Sequence, residues 1–430
     1  MSAPLQTMSG RDKIRTKIAW RILPFVFVLY IIAYLDRANV AYAKMTMMAD
    51  RGFSEAVFGF GAGIFFAGYL LFEIPGALIV ERWSARLWMA RILITWGFCA
   101  VIVGFVRTAS EFYAARFLLG LAEGGFFPGI VVYLTHWFCA RDRARALSGF
   151  IIAIPVSLSF GAPISALLLR LNWLGIAGWR WVFILEGLPA ILFGVITLFY
   201  LTDHPREAAW LELEEREWVA AELEAEKDAK RSAGQVSILQ AIRNRDVVLL
   251  AFALFSANIG TYAFVFWLPT TVLRISGRSA IFSTALSALP FLVAIVSVAL
   301  VGRSSDLHGE RKWHTAVPMG LAALFFTLSA LAGTSFPMAM LWLCATGAVL
   351  FAWAPSFWVL PTLTLGESAA ATSFGLINLV GNLGGFVGPA VVGYLLSRNR
   401  SHTATTGFLA ASFVIGAAMI LVVRTRRIEV

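Results

Sequence analysis

Arg116-Phe-Leu-Leu-Gly-Leu-Ala-Glu123-Gly-Gly-Phe-Phe-Pro128-Gly129 sets an arginine and a glutamate inside an apolar run from about residue 112 to residue 138. As a helix, such a run is long enough to cross a hydrocarbon core of ~30 Å. Seven residues make two helical turns, so Arg116 and Glu123 project from one face, ~10.5 Å apart along the axis. Ionisable groups at that depth are costly and face a partner charge or a water-filled cavity. One reading is a structural pair that joins two helices. The other is an anion-binding arginine beside a protonatable carboxylate. A second charged stretch, Tyr34-Leu-Asp36-Arg37-Ala-Asn39, lies late in the first apolar run and favours the second reading.

Outward from these stretches the chain keeps the same character. Of its 430 residues, 59% are hydrophobic and 14% charged; soluble proteins carry about 25% charged residues. Twelve apolar segments are expected, at 18–42, 56–80, 87–107, 110–138, 146–170, 178–201, 247–273, 279–302, 313–333, 336–361, 369–397 and 404–424. Each has the length of a membrane-crossing helix, about twice that of a barrel strand. The fold class is therefore an all-α membrane protein. Between the sixth and seventh segments the chain turns polar, with Glu212, Glu214, Glu215, Glu217, Glu222, Glu224 and Glu226 followed by Lys227, Lys230 and Arg231. Leu211, Val219 and Leu223 recur loosely at helical spacing there, so a surface helix is expected within a solvated linker. The predicted organisation is an N-terminal tail (1–17), a six-helix bundle (18–201), a linker (202–246), a second six-helix bundle (247–424) and a short tail (425–430).

The net charge of +10 is not a nucleic-acid signal, because the basic residues fall mainly in short gaps between apolar runs. One set of gaps holds most of them, including Arg11, Lys13, Arg15 and Lys17, then Arg141, Arg143 and Arg145, then the linker and the C-terminal arginines. The other set, with Lys44, Arg51, Arg107 and Arg170 among its members, holds far fewer. The excess marks the first set as cytoplasmic, with both termini and the linker. Cys99, Cys139 and Cys344 show no metal-ligand spacing and no disulfide framework. The first apolar run lacks a small-residue cleavage site after it and reads as a retained helix.

The two halves echo each other. Ala77-Leu-Ile-Val-Glu81-Arg82-Trp-Ser84-Ala-Arg86 joins the second and third segments, and Gly302-Arg-Ser-Ser-Asp306-Leu-His-Gly309-Glu-Arg311-Lys312 joins the eighth and ninth. In both, an acid follows a small residue by four positions and a basic residue follows the acid by five. Such internal repeats are a common way of building transporters. Twelve segments in two sixes, with this loop motif twice, resemble the major facilitator superfamily. The first copy departs from the usual pattern at Ala77 and Ser84, where glycines are common. More narrowly, the Tyr34–Asn39 and Arg116–Gly129 stretches, Gly178-Trp-Arg-Trp-Val-Phe-Ile-Leu-Glu186-Gly and Asp203-His-Pro-Arg-Glu-Ala-Ala-Trp-Leu resemble the anion:cation symporter family. That family includes permeases for sugar acids, tartrate, phthalate and hydroxyphenylacetate, and the vesicular glutamate transporters. The resemblance implies a gating role for Glu81, Arg82, Arg86, Asp306 and Arg311.

Helical rise brings Asp36, Arg37, Arg116 and Glu123 to overlapping depths. Two carboxylates and two guanidiniums nearly cancel. A bound carboxylate would compete for an arginine and free an acid, which then takes up a proton more readily. The resemblance assigns Asp36 and Glu123 this proton-coupling role. Arg37 is the candidate carboxylate ligand, since a guanidinium fork matches a carboxylate in two hydrogen bonds. Arg116 either holds Glu123 or faces an outer gate. Tyr34 and Tyr69 match binding-tyrosine positions of related sugar-acid transporters, and Trp358 and Asn378 match the family's substrate-contacting tryptophan and asparagine. Asn382 shares a helix face with Asn378. Asn258, Tyr262 and Trp267 are further candidates, although a mid-membrane asparagine also serves as helix glue. Glu73 and Glu186 read as buried structural acids. No phosphate-cradling loop, metal constellation or nucleophile–base pair is present, so neither an enzyme nor a cofactor is expected.

The function expected is proton-coupled uptake of a small organic anion by alternating access, with no nucleic-acid partner, by a monomer in the inner (plasma) membrane. A proton-driven efflux antiporter for amphiphilic compounds is the alternative, which the aromatic second half also suits.

Overall fold

The structure, a computed structural model, describes residues 10–232, 238–332, 335–365, 367–399 and 402–424. Among the described residues, twelve helices are long and apolar enough to cross a membrane. The first six are α1 (Gly10–Arg51), α2 (Glu55–Arg82), α3 (Ala85–Val103), α4 (Ala109–Glu123, continued by Phe126–Thr135), α5 (Ala140–Leu168) and α6 (Gly178–Tyr200). The second six are α7 (Arg245–Ser276), α8 (Ala280–Leu286, continued by Ala288–His308), α9 (Lys312–Leu331), α10 (Phe336–Leu350, with short turns Ala354–Phe357 and Leu360–Leu365), α11 (Glu367–Asn399) and α12 (His402–Val422). Side chains punctuate the chain between them. Ser54, Ser84, Thr108, Asn244 and Ser279 each accept a hydrogen bond from a backbone N–H of the first turn they precede, which satisfies donors that a helix start leaves open.

Within the first half, α2 packs on α4, α3 on α6, and α1 on α5 and α6. In the second half, α7 packs on α11 and α12, and α9 on α10 and α12. The halves meet where α2 faces α11, α5 faces α8 and α1 faces α7. An even number of crossings puts both chain ends and the connection between halves on one face, called here the terminal face; the opposite one is the far face. Close approach depends on missing side chains. A Cβ on Gly120 of α4 would lie 1.9 Å from the Phe65 carbonyl of α2, and one on Gly384 of α11 would lie 2.2 Å from the Phe255 carbonyl of α7.

Four expectations are corrected. The first apolar segment extends at both ends into one 42-residue helix, so Lys44 and Arg51 lie in α1 and not in a loop. The 110–138 segment is interrupted after Glu123, where Gly125 adopts φ +85°, a left-handed conformation that glycine accepts without strain. The tenth segment is likewise interrupted, at Phe351–Trp353. The polar connection is not simply solvated. Its helix, Leu213–Ser232, is fastened to the base of the first half by Lys17–Glu215 at 2.7 Å, Arg143–Glu226 at 3.3 Å and an Arg15–Glu222 pair. Lys17 holds the Glu215 carboxyl below its ordinary range.

The two loop motifs also differ. Asp306 pairs with Arg311 at 2.6 Å, and Arg311 donates to Ser305 at 2.9 Å. In the first half, Asp203 takes the place of a partner within the loop, accepting from the Ser84 hydroxyl at 2.6 Å and the Arg86 backbone N–H at 2.8 Å. The side chains of Glu81 and Arg82 lie outside the described residues.

Candidate functional site

α1 presents Tyr34 and Arg37 on one face, three residues apart. The Arg37 guanidinium is paired with Glu123 at the end of the first segment of α4. It also donates to the Tyr262 hydroxyl of α7 at 3.4 Å. Aromatic rings surround it, with Tyr34 at 4.9 Å, Tyr69 at 5.2 Å and Phe65 at 5.4 Å from guanidinium carbon to ring centroid. Such cation–π contacts strengthen as water is removed. Tyr262 in turn packs edge-on against Phe66 of α2, at 4.4 Å. The ion pair therefore belongs to the first half, while one of its hydroxyl partners comes from the second.

Asp36 is fully buried. One residue along a helix is a turn of about 100°, so it points away from Arg37 and accepts from Asn39 at 2.9 Å. Arg116 is equally buried, lies 4.9 Å over Phe65 and donates to the Gly61 carbonyl at 3.4 Å. Of the two roles left open for Arg116, holding Glu123 is not the one seen, because Glu123 pairs with Arg37. Two helical turns along α4 are too far for a direct contact, whereas the tight packing at Gly120 seats the end of that segment within reach of α1.

In the second half, Asn378 and Asn382 of α11 both donate to Glu73 of α2, Asn382 at 3.3 and 3.5 Å to the two carboxylate oxygens. Asn258 donates to the Gly381 carbonyl at 3.0 Å and joins α7 to α11, the helix-glue role. Trp358 stacks on Phe374, 5.7 Å between centroids. The structure thus gathers Tyr34, Arg37, Tyr69, Glu123 and Tyr262, sets Asp36 and Arg116 behind them, and engages Asn258 and Trp358 elsewhere.

Two features escaped the sequence reading. Glu73 is a bridge between halves. Lys44, buried at 1% exposure, pairs with Glu55 at 2.8 Å and lies 4.2 Å over Trp267 and 4.8 Å over Phe58. Trp267 itself donates to Glu55 at 2.9 Å, so this contact also spans the halves, nearer the far face. The only signal available was a lysine near the end of an apolar run, which reads equally well as a loop residue. Among the described residues no group of three or more His, Cys, Asp or Glu is placed to hold a metal.

Residues 26–389 match the family model described as Major Facilitator Superfamily. The chain belongs to the Major Facilitator Superfamily. It is a multi-pass membrane transporter of that family and not an enzyme. It is 42% identical over 411 residues, 95% of this chain and 91% of the relative, to a putative tartrate transporter of Agrobacterium vitis. It is 36% identical over 419 residues, 96% and 95% of the two chains, to a quinolone resistance transporter of Acinetobacter baumannii. Among solved structures it resembles the inward-open xylose transporter XylE from E. coli, with a TM-score of 0.74 at 17% identity over 94% of this chain and 96% of that one. At that identity the likeness concerns the fold. The resemblance to anion:cation symporters agrees with the bacterial relatives.

Proposed function

We propose that this transporter takes up a small organic anion bearing a carboxylate, together with protons, by alternating access between its six-helix halves. The observation that carries the reading is the buried Arg37–Glu123 pair among Tyr34, Tyr69 and Tyr262. A substrate carboxylate fits the guanidinium fork that Glu123 occupies. Its arrival displaces Glu123 and leaves an uncompensated charge away from water; uptake of a proton removes that charge at least cost. Asp36, buried beside this pair, is the second carrier. Tyr262 couples occupancy to the second half. A hydroxy acid agrees with the name of the tartrate relative. The setting is the inner membrane, with a monomer whose termini and linker face the cytoplasm, an orientation that the arginine and lysine distribution supports.

The quinolone resistance relative favours a second reading, proton-driven export of an amphiphilic acid through the same site. Proteoliposomes separate the two. With an inward proton gradient, labelled tartrate or another hydroxy acid accumulates inside under the first reading, and Arg37→Lys abolishes accumulation. Gradient-driven exclusion of the acid supports export. Movement of no carboxylate in either direction ends both.

A further inference from the structure

α3 starts at the terminal face and packs on α6 and α4, away from the boundary between the halves. Leu87, Phe98, Ile102 and Phe105 are each more than half exposed. Their spacing puts them on one side of the helix, the side that faces lipid. Arg91 falls on that same side, four residues after Leu87 and seven before Phe98. It lies ~9 Å along the span from Ala85 by helical rise. An arginine at such a place needs water or an anion within reach. Its side chain leans back toward the terminal face, as helical side chains do, and the guanidinium carbon lies 3.9 Å over the Trp88 ring. That contact serves the face of the guanidinium and not its edge. The Arg91 Nε and Nη2, which carry the fork of donors along one edge, are enclosed and meet no acceptor; the same holds for the Trp88 indole N–H. Arg15, Lys17 and Arg143, also toward the terminal face, are answered by acids of the helix Leu213–Ser232. Among the described residues no acid pairs with Arg91. We propose that Arg91, with Trp88, binds the phosphate of an anionic phospholipid in the leaflet at the terminal face.

The chemistry follows from the donors left open. The two unesterified oxygens of a phosphodiester match the guanidinium fork, and Trp88 holds the plane of that fork by stacking. The acyl chains of the same lipid lie along the apolar side marked by Leu87 and Phe98. A soluble phosphate would have to leave water for a place walled by hydrocarbon, whereas a lipid brings its phosphate there with its chains already buried. The headgroup is expected to be anionic. A zwitterionic lipid carries its own ammonium, which already offsets its phosphate, and Arg91 has no acid beside it to offset its charge instead.

The test uses the purified full-length protein, stripped of lipid in a neutral detergent. It is titrated with phosphatidylglycerol or with phosphatidylcholine of the same acyl chains, and bound lipid is counted by native mass spectrometry. The wild type should hold phosphatidylglycerol at least about fivefold more tightly than phosphatidylcholine, the measure of one basic residue against an anionic lipid. Arg91→Met keeps a long flexible side chain on the lipid side and should bring the two affinities within about twofold. Arg91→Lys keeps the charge without the fork and should lose most of the preference. Arg21→Met removes another exposed arginine near the terminal face and should leave the preference unaltered. Equal affinities in the wild type, or a preference unaltered in Arg91→Met, overturn the inference. An equal loss in Arg21→Met assigns the preference to surface charge at large and also overturns it. Displacement of phosphatidylglycerol by inorganic phosphate at equal concentration overturns the lipid as ligand. Should Arg91→Met not fold, Arg91→Lys decides, and an unaltered preference there overturns the inference.

Discussion

Among the described residues, every buried charged side chain belongs to the first half of the molecule or its immediate end: Asp36, Arg37, Lys44, Glu73, Arg116, Glu123, Glu186 and Asp203. The buried polar groups of the second six helices are hydroxyls and the Asn382 carboxamide. The folds of the halves echo each other, but their chemistry does not. The first half carries charges that can be exchanged or protonated. The second answers with neutral groups, Tyr262 on Arg37, Asn378 and Asn382 on Glu73, and the Trp267 indole on Glu55. A neutral partner that lets go costs a hydrogen bond to the charge it leaves, which is less than separating two opposite buried charges. Among the described residues, buried charge is thus confined to one half, and neutral partners to it come from the other.

The sharpest way to break this comparison is Glu123→Gln. It should abolish accumulation driven by an inward proton gradient while leaving exchange of substrate between two filled compartments measurable. Glutamine resembles the protonated acid in shape and cannot release a proton. Wild-type accumulation by this variant would remove Glu123 from coupling. Next in size is Arg37→Lys. A buried ionic hydrogen-bond partner is worth about 2–5 kcal/mol, and an ammonium cannot reproduce the two-point fork. Substrate affinity should fall by about a hundredfold, measured by titration, with the protein still folded in detergent.

Lys44→Met addresses the pair nearer the far face. Glu55 keeps partial water contact, so the loss in thermal stability should be about 1–3 kcal/mol, below the cost for a fully enclosed pair. The double variant Lys44→Met, Glu55→Gln should recover most of it. No recovery would mean that Lys44 matters through packing on Trp267. The smallest effect belongs to the second half, as the comparison requires. Tyr262→Phe removes one hydroxyl from Arg37 and should weaken binding only about three- to tenfold, the measure of one hydrogen bond. A loss as large as that of Arg37→Lys would show that the second half contributes more than a neutral cover.

Hydropathy made the helix count and the two sixes legible, because a membrane span needs a long apolar run and little else. Asp36, Arg37, Arg116 and Glu123 were legible as a group because charges in such runs are few and the two stretches overlap in depth; Tyr34 and Tyr69 were legible only through the family resemblance. The pairing was not. Spacing along α4 put Arg116 and Glu123 on one face and left Arg116 open as a partner, whereas the choice is made by the approach of α1, and no periodicity within one helix encodes which neighbour comes closest. Glu73 read as structural for the same reason, since its partners lie some 300 positions later in the chain. Lys44 was hidden by its place near the end of a run, where a loop charge and a buried one look alike. The break at Gly125 was visible as a glycine pair but not as a turn, because glycines in membrane helices serve packing just as often.

The helix Leu213–Ser232 rides with the first half, held to α1 and α5 by ion pairs at Arg15, Lys17 and Arg143. Mechanically, this makes the joint between halves a leash rather than a hinge. The next described helix, Ile238–Arg243, packs instead on α11 and α7 of the second half. Five positions of sequence separate the two helices, and five residues reach roughly 17 Å at full stretch. The ion pairs that set this short length are open to solvent and hence to screening. Raised ionic strength at the terminal face should therefore loosen Leu213–Ser232 from the first half and lengthen the connection between the halves.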